Sequence, residues 1–144
     1  MKHTLLLVTL LACTPAFAQP DEQVVQAVQR QTQGLSAADI RQYHDACDSG
    51  VTLQMNICHS YRLARQDLKL NATYARVRQQ AAKTGNEAAL LKAQRAWLAW
   101  RDSQCAYEGK AGAGGGSAEG LFVLSCREAL TGEQETRLQD SLTP

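Results

Sequence analysis

Apolar positions in this chain recur three and four residues apart, the spacing of one face of an α-helix, and nowhere alternate at the period of two that marks a half-buried strand. The clearest case runs from Thr52 to Lys83, a stretch with no Pro or Gly. Ile57, Tyr61, Ala64 and Leu68 form one apolar stripe; Leu63, Leu70, Tyr74 and Val77 form another. A helix that is apolar on two sides needs two packing partners, so this segment is expected to be the central helix of a bundle. Thr-Gly-Asn at 84–86 ends it, and a second long helix is expected from Glu87 to about Glu108. Its inward stripe takes in Leu90, Ala93, Trp97, Arg101 and the Gln104/Cys105 edge. So short a connection implies an antiparallel hairpin in which facing positions sum to about 170, twice the turn centre near Gly85. That register sets Tyr74 beside Ala96 and Trp97, and brings Asp67 within reach of Arg101.

The flanks read less regularly. Residues 19–35 carry few large side chains and are expected to be a loosely structured segment, a loose helix or a tail. Ser36-x-x-Asp39 is a capping pattern that opens a short helix to about Ala46, broken by Asp-Ser-Gly at 48–50, and Thr52 is the expected N-cap of the long helix after it. Six glycines between Gly109 and Gly120 predict an exposed loop. Ser117 is placed to cap a helix through Leu121–Leu130, and Thr131-x-x-Gln134 to open a last short one. The fold class expected is all-α: a small bundle around a long antiparallel helix hairpin.

The first eighteen residues change the setting. Lys2, the apolar run Leu5–Ala12 and the small-residue site Ala16-Phe17-Ala18 have the layout of a secretory signal cleaved after Ala18, with an apolar run too short to span a bilayer. An alternative processing box, Leu-Leu-Ala-Cys, ends at Cys13 and would give a lipid anchor there instead. The expected layout is a signal peptide at 1–18, the loose segment at 19–35 and one helical domain at 36–144, in the periplasm or secreted. The whole chain carries 15 Lys and Arg against 14 Asp and Glu; loss of Lys2 leaves the mature chain neutral, which gives no footprint for nucleic acid.

Four cysteines remain, Cys47, Cys58, Cys105 and Cys126, and an even number in an exported chain reads as two disulfides. In the hairpin register Cys58 and Cys105 lie about 10 Å apart along the axis, beyond the reach of a disulfide. Of the three connectivities, Cys47–Cys58 with Cys105–Cys126 is preferred: one bond ties the short helix to the central one, the other closes the glycine segment.

Catalytic chemistry finds little support. His44, Cys47, Cys58 and His59 could be drawn as a zinc site, but thiols in an oxidising compartment pair with each other, so no metal and no cofactor is expected. There is no Gly-x-Ser-x-Gly elbow, Ser117 has no neighbouring histidine, and the carboxylate pairs Asp45/Asp48 and Glu133/Glu135 read as solvated helix faces. Trp97 shares a stripe with apolar residues and is expected in the core; a sugar platform built with Trp100 is the competing reading. Arg101, on the same stripe, requires a buried partner, with Asp67 the candidate.

Thr52–Cys58, Asp67-x-x-Leu70-Asn71-x-x-Tyr74, Leu90–Cys105, Gly115-Gly116-Ser117 and Cys126, in that order, resemble the LprI-type lysozyme-inhibitor family over about Cys47–Leu138. The length of the glycine tract before Gly115 departs from the family pattern. The resemblance implies a small exported bacterial protein, non-catalytic, that blocks lysozyme or another muramidase and so protects peptidoglycan. It directs attention to the segment Gly109–Gly120 as the binding element, with Lys110, Gly114, Gly115, Gly116 and Ser117 as candidate contacts: Lys110 to face a carboxylate of the enzyme, the glycine amides to donate hydrogen bonds. An envelope interaction or toxin-immunity protein with another secreted partner is the alternative. A neutral mature chain argues against electrostatic capture of a basic enzyme unless acidic groups are locally concentrated.

Overall fold

The computed structural model describes residues 19–116 and 118–142; residues 1–18, where a signal peptide is expected and Cys13 lies, Ser117 and the last two residues are outside the described residues. Those described form five helices: α1 (Glu22–Gln31), α2 (Ala37–Tyr43), α3 (Thr52–Lys83), α4 (Glu87–Ala113) and α5 (Glu119–Asp140). No strand occurs among them, and no helix is long and apolar enough to cross a membrane.

α3 is the central element, about 48 Å long at 1.5 Å per residue. Its first stripe meets α1 and α2: Ile57, Tyr61 and Ala64 form one buried cluster with Val24, Val25, Val28 and Ile40. Of its second stripe Leu63 and Leu70 are buried and Tyr74 and Val77 half-buried, and the neighbouring buried Thr73 donates to Glu135 of α5 at 2.8 Å. α3 and α5 run parallel, His59 meeting Glu128 and Thr73 meeting Glu135; α4 runs antiparallel to both.

Within residues 19–35 the helical alternative holds, and α1 is docked on α3. Asp21 caps α1 by accepting from the Gln23 amide at 2.8 Å, and Val24, Val25 and Val28 are completely buried. The β-branched triplet at i, i+1, i+4 lays a narrow apolar stripe on an otherwise polar helix, enough to dock on α3 and too short to register as a periodic signal. α2 opens with the expected cap, the Ser36 hydroxyl accepting from the Asp39 amide at 3.0 Å, but ends at Tyr43. Val51, not Thr52, is the N-cap of α3.

The glycine segment departs furthest from expectation. α4 continues through Gly109 and Gly112 to Ala113 and stops at Gly114, whose φ of 59° supplies the left-handed cap. The connection to α5 is five residues, 114–118, and the exposed loop expected at 109–120 is absent. Packing overrides propensity here: a Cβ on Gly109 would stand 2.5 Å from the Val123 side chain, so the missing side chain is what lets α4 and α5 approach. α5 likewise runs unbroken through Thr131, where two helices were expected. Thr131 is buried inside the helix and caps nothing.

Both disulfides are as preferred, Cys47–Cys58 and Cys105–Cys126, with Cα separations of 5.2 and 5.5 Å. The hairpin register also appears, Arg78 bonding Glu87 at 2.6 Å and Arg101 lying 3.4 Å from Asp67. Along most of their length, however, α3 and α4 are splayed, and α5 packs against both.

Candidate functional site

Three surfaces collect the candidate residues. The first is the α3–α4 groove left by the splay, about 410 Å³, lined on one side by Asp67, Leu70, Asn71 and Tyr74 and on the other by Leu91, Gln94, Arg95, Leu98 and Arg101. The spacing Asp-x-x-Leu-Asn-x-x-Tyr places its four named residues toward one opening because intervals of three and four stay on one helical face. Arg101 lies at the inner end with its side chain 11% exposed. It donates to Asp102 Oδ1 from Nε at 3.1 Å and Nη2 at 3.0 Å, and to Thr131 Oγ1 from Nη1 at 3.0 Å. Asp67, the expected partner, is the longer contact at 3.4 Å. Burial pushes the Asp67 carboxyl above its ordinary range, against the pull of the Arg101 guanidinium. The guanidinium carbon also lies 5.3 Å from the Trp97 ring centroid, a cation–π contact. Arg127 stands 3.2 Å from Asp102, yet its buried Nε has no well-aligned acceptor. Tyr74 lines the groove, with a hydroxyl that is buried and finds no protein partner. Tyr74 and Trp97, set side by side in the hairpin register, line different hollows.

The second surface is the outer side of the α4–α5 seam. Trp97 and Trp100 border a 280 Å³ hollow with Leu130, Glu133, Gln134 and Arg137. Trp97 is half-buried there instead of belonging to the core, and Trp100 is 51% exposed. α5, absent from the two-helix register, draws Trp97 toward itself.

The third is the α4–α5 corner. Gly114, Gly115 and Gly116 form the turn, and nothing lies within 4 Å of a Cβ built on Gly114 or Gly115. Two of the amides expected to be free are already used: Gly114 donates to Lys110 O at 3.0 Å and Gly116 to Ala113 O at 3.1 Å. Lys110 sits on the last turn of α4, exposed, and not on a loop. Phe122, 44% exposed, lies over Gly112, and Tyr107, 68% exposed, stands about two turns before the Gly114 cap. Ser117 lies outside the described residues. The Cys105–Cys126 bond fastens both helices behind the corner, making it a braced wedge where an exposed loop was expected. The histidines of the sketched zinc site diverge, His44 against Tyr61 and His59 bonded to Glu128, while the two cysteines bond each other.

The sequence profile of the lysozyme inhibitor LprI family matches residues 44–138. The chain belongs to that family. An uncharacterized protein of Rhizobium meliloti, R02472, is 34% identical over 116 residues, covering 72% of this chain and 83% of its own. No solved structure matches. The LprI match begins at His44, so α1 and α2, which bury Ile57, Tyr61 and Ala64 of the first α3 stripe but leave Leu68 exposed, lie before the family region.

Proposed function

We propose that this LprI-family protein is an exported, non-catalytic inhibitor of muramidases that acts by presenting the α4–α5 corner to the enzyme. Family membership supports the partner class. The observation that carries the choice of surface is the braced corner itself: a turn open on its outer side, flanked by exposed Phe122 and Lys110 and locked by Cys105–Cys126. A rigid projection with an aromatic anchor loses little entropy on docking, and aromatic residues dominate interface energetics. Charge distribution supports it as well. Residues 69–95 carry six bases and one acid, whereas residues 96–142 carry four bases and seven acids. The neutral total therefore conceals an acidic stretch from residue 96 onward, the second half of α4 and all of α5, suited to a basic enzyme.

The test is digestion of peptidoglycan by a panel of muramidases with and without the protein. Wild type slows digestion by at least one enzyme. Lys110→Glu combined with Phe122→Ser abolishes the effect with an unchanged far-UV spectrum. No inhibition of any enzyme at micromolar protein rejects the reading.

A further inference from the structure

One face of α3 plays no part in the α4–α5 corner. Arg62, Arg65, Lys69, Arg76 and Lys83 follow one another at intervals of three, four, seven and seven residues, which keeps all five on one side of the helix. The row is about 32 Å long. It looks away from α4, because Asp67, the single acid in α3, points to Arg101 from the opposite side. Arg65, Lys69, Arg76 and Lys83 are exposed and Arg62 is half-buried. Among the described residues none of the five forms an ion pair, although Arg41, Arg78, Arg101 and Arg127 all do. Like charges one and two turns apart repel, so an unneutralised row of this length costs the isolated fold some stability and offers a counter-anion a corresponding gain.

We propose that this row is a docking ridge for an extended phosphate-bearing polymer of the cell envelope. The relief around it distinguishes this occupant from others. Arg62 stands between two hollows, one of 220 Å³ with His44 and Asp45 and one of 300 Å³ with His59 and Glu128. The N-terminal half of the ridge therefore lies in a trough between α2 and α5, which a flexible strand can enter and a flat bilayer cannot. Asp45 and Glu128 flank it, and Glu128 is engaged by His59 at 3.1 Å. Tyr61 lines the first hollow beside Arg62 and Arg65, but it is only 5% exposed and its hydroxyl accepts from the Asp21 amide, so the row offers no open stacking platform of the kind single-stranded nucleic acid uses and the backbone charge is what is read. The ridge lies on α3 and the acidic stretch from residue 96 onward on α4 and α5, so a chain held on a wall polymer keeps its corner free.

The test uses the mature protein with linear inorganic polyphosphate long enough to span the ridge, followed by calorimetry at several salt concentrations. Five cations on a single-stranded polyanion predict a slope of log K against log salt near about −3.5. The triple variant Arg65→Gln/Lys69→Gln/Arg76→Gln reduces the slope to about −1.4 and weakens binding at least about tenfold at low salt. The charge-matched control Arg30→Gln/Arg41→Gln/Lys92→Gln, which touches no ridge residue, retains the wild-type slope. Equal losses in both variants, no binding of polyphosphate, tighter binding to vesicles containing phosphatidylglycerol, or markedly tighter binding to oligothymidine of equal charge would each overturn the proposal. None of these outcomes depends on inhibition of a muramidase.

Discussion

Arg101 donates to the hydroxyl of Thr131 at 3.0 Å across the α4–α5 seam, and both residues are buried. The contact joins the two helices that form the proposed inhibitory corner and ties them, through Asp67, to α3. Removing the guanidinium strands a mostly buried carboxylate and a hydroxyl together. Arg101→Met is expected to cost about 3 kcal/mol, the scale of a broken buried pair, whereas Thr131→Val costs about 1 kcal/mol because the arginine keeps Asp102. Urea unfolding of the two variants, with the slope of free energy against denaturant held in view, checks the order.

Asp67 gives a pH signature. Its carboxyl is raised by burial, so the folded chain binds that proton more tightly than the unfolded chain does. The folded state then gains stability from this group as pH falls from neutral toward the ordinary carboxylate value near about 3.9, and loses it as pH rises through the raised value. Wild type should therefore gain on Asp67→Asn as the pH is lowered across that window. A difference in unfolding free energy that moves the other way means the Arg101 attraction outweighs burial.

Two glycine substitutions separate packing from helix propensity. Gly109→Ala puts a methyl 2.5 Å from the Val123 side chain and 3.2 Å from the Glu119 carbonyl oxygen, and backbone cannot move aside cheaply. It should destabilise by about 1–3 kcal/mol despite the better helix former. Gly120→Ala, with nothing within 4 Å, should stabilise by up to about 1 kcal/mol. Thermal unfolding of both decides it.

Opening the Cys105–Cys126 bridge, by replacing both cysteines with alanine, should cost about 3 kcal/mol for a crosslink spanning 21 residues. On the proposed reading it also weakens inhibition more than opening Cys47–Cys58 does, since only the first bridge braces the corner. Chemical denaturation and the digestion assay report the two effects separately.

What could be read from the sequence was whatever rested on periodicity and turn length. The two stripes of α3, the Gly85 turn and the Asp67–Arg101 register all come from spacing, and the disulfide pairing came from that register. What could not be read depended on a third partner. α5 shares a hollow with Trp97, a neighbour the two-helix register did not contain, and it converts Gly109, Gly112 and Thr131 from a loop and a cap into interface residues. Glycine in a helix and threonine at a helix midpoint are indistinguishable from breakers until the opposing surface is known. The valines of α1 were missed because three apolar residues on a polar background carry too little pattern. The cations of the α3 ridge sit at helical spacing in the sequence, but the face that α5 leaves uncovered is visible only once the helices are packed.

The most direct test is amide hydrogen exchange of the protein alone and saturated with a muramidase that it inhibits. Protection concentrated in residues 107–122, with the exposed face of α3 unchanged, is the predicted result; protection centred on the α3–α4 groove or on α1, with the corner exchanging as in the free protein, contradicts it.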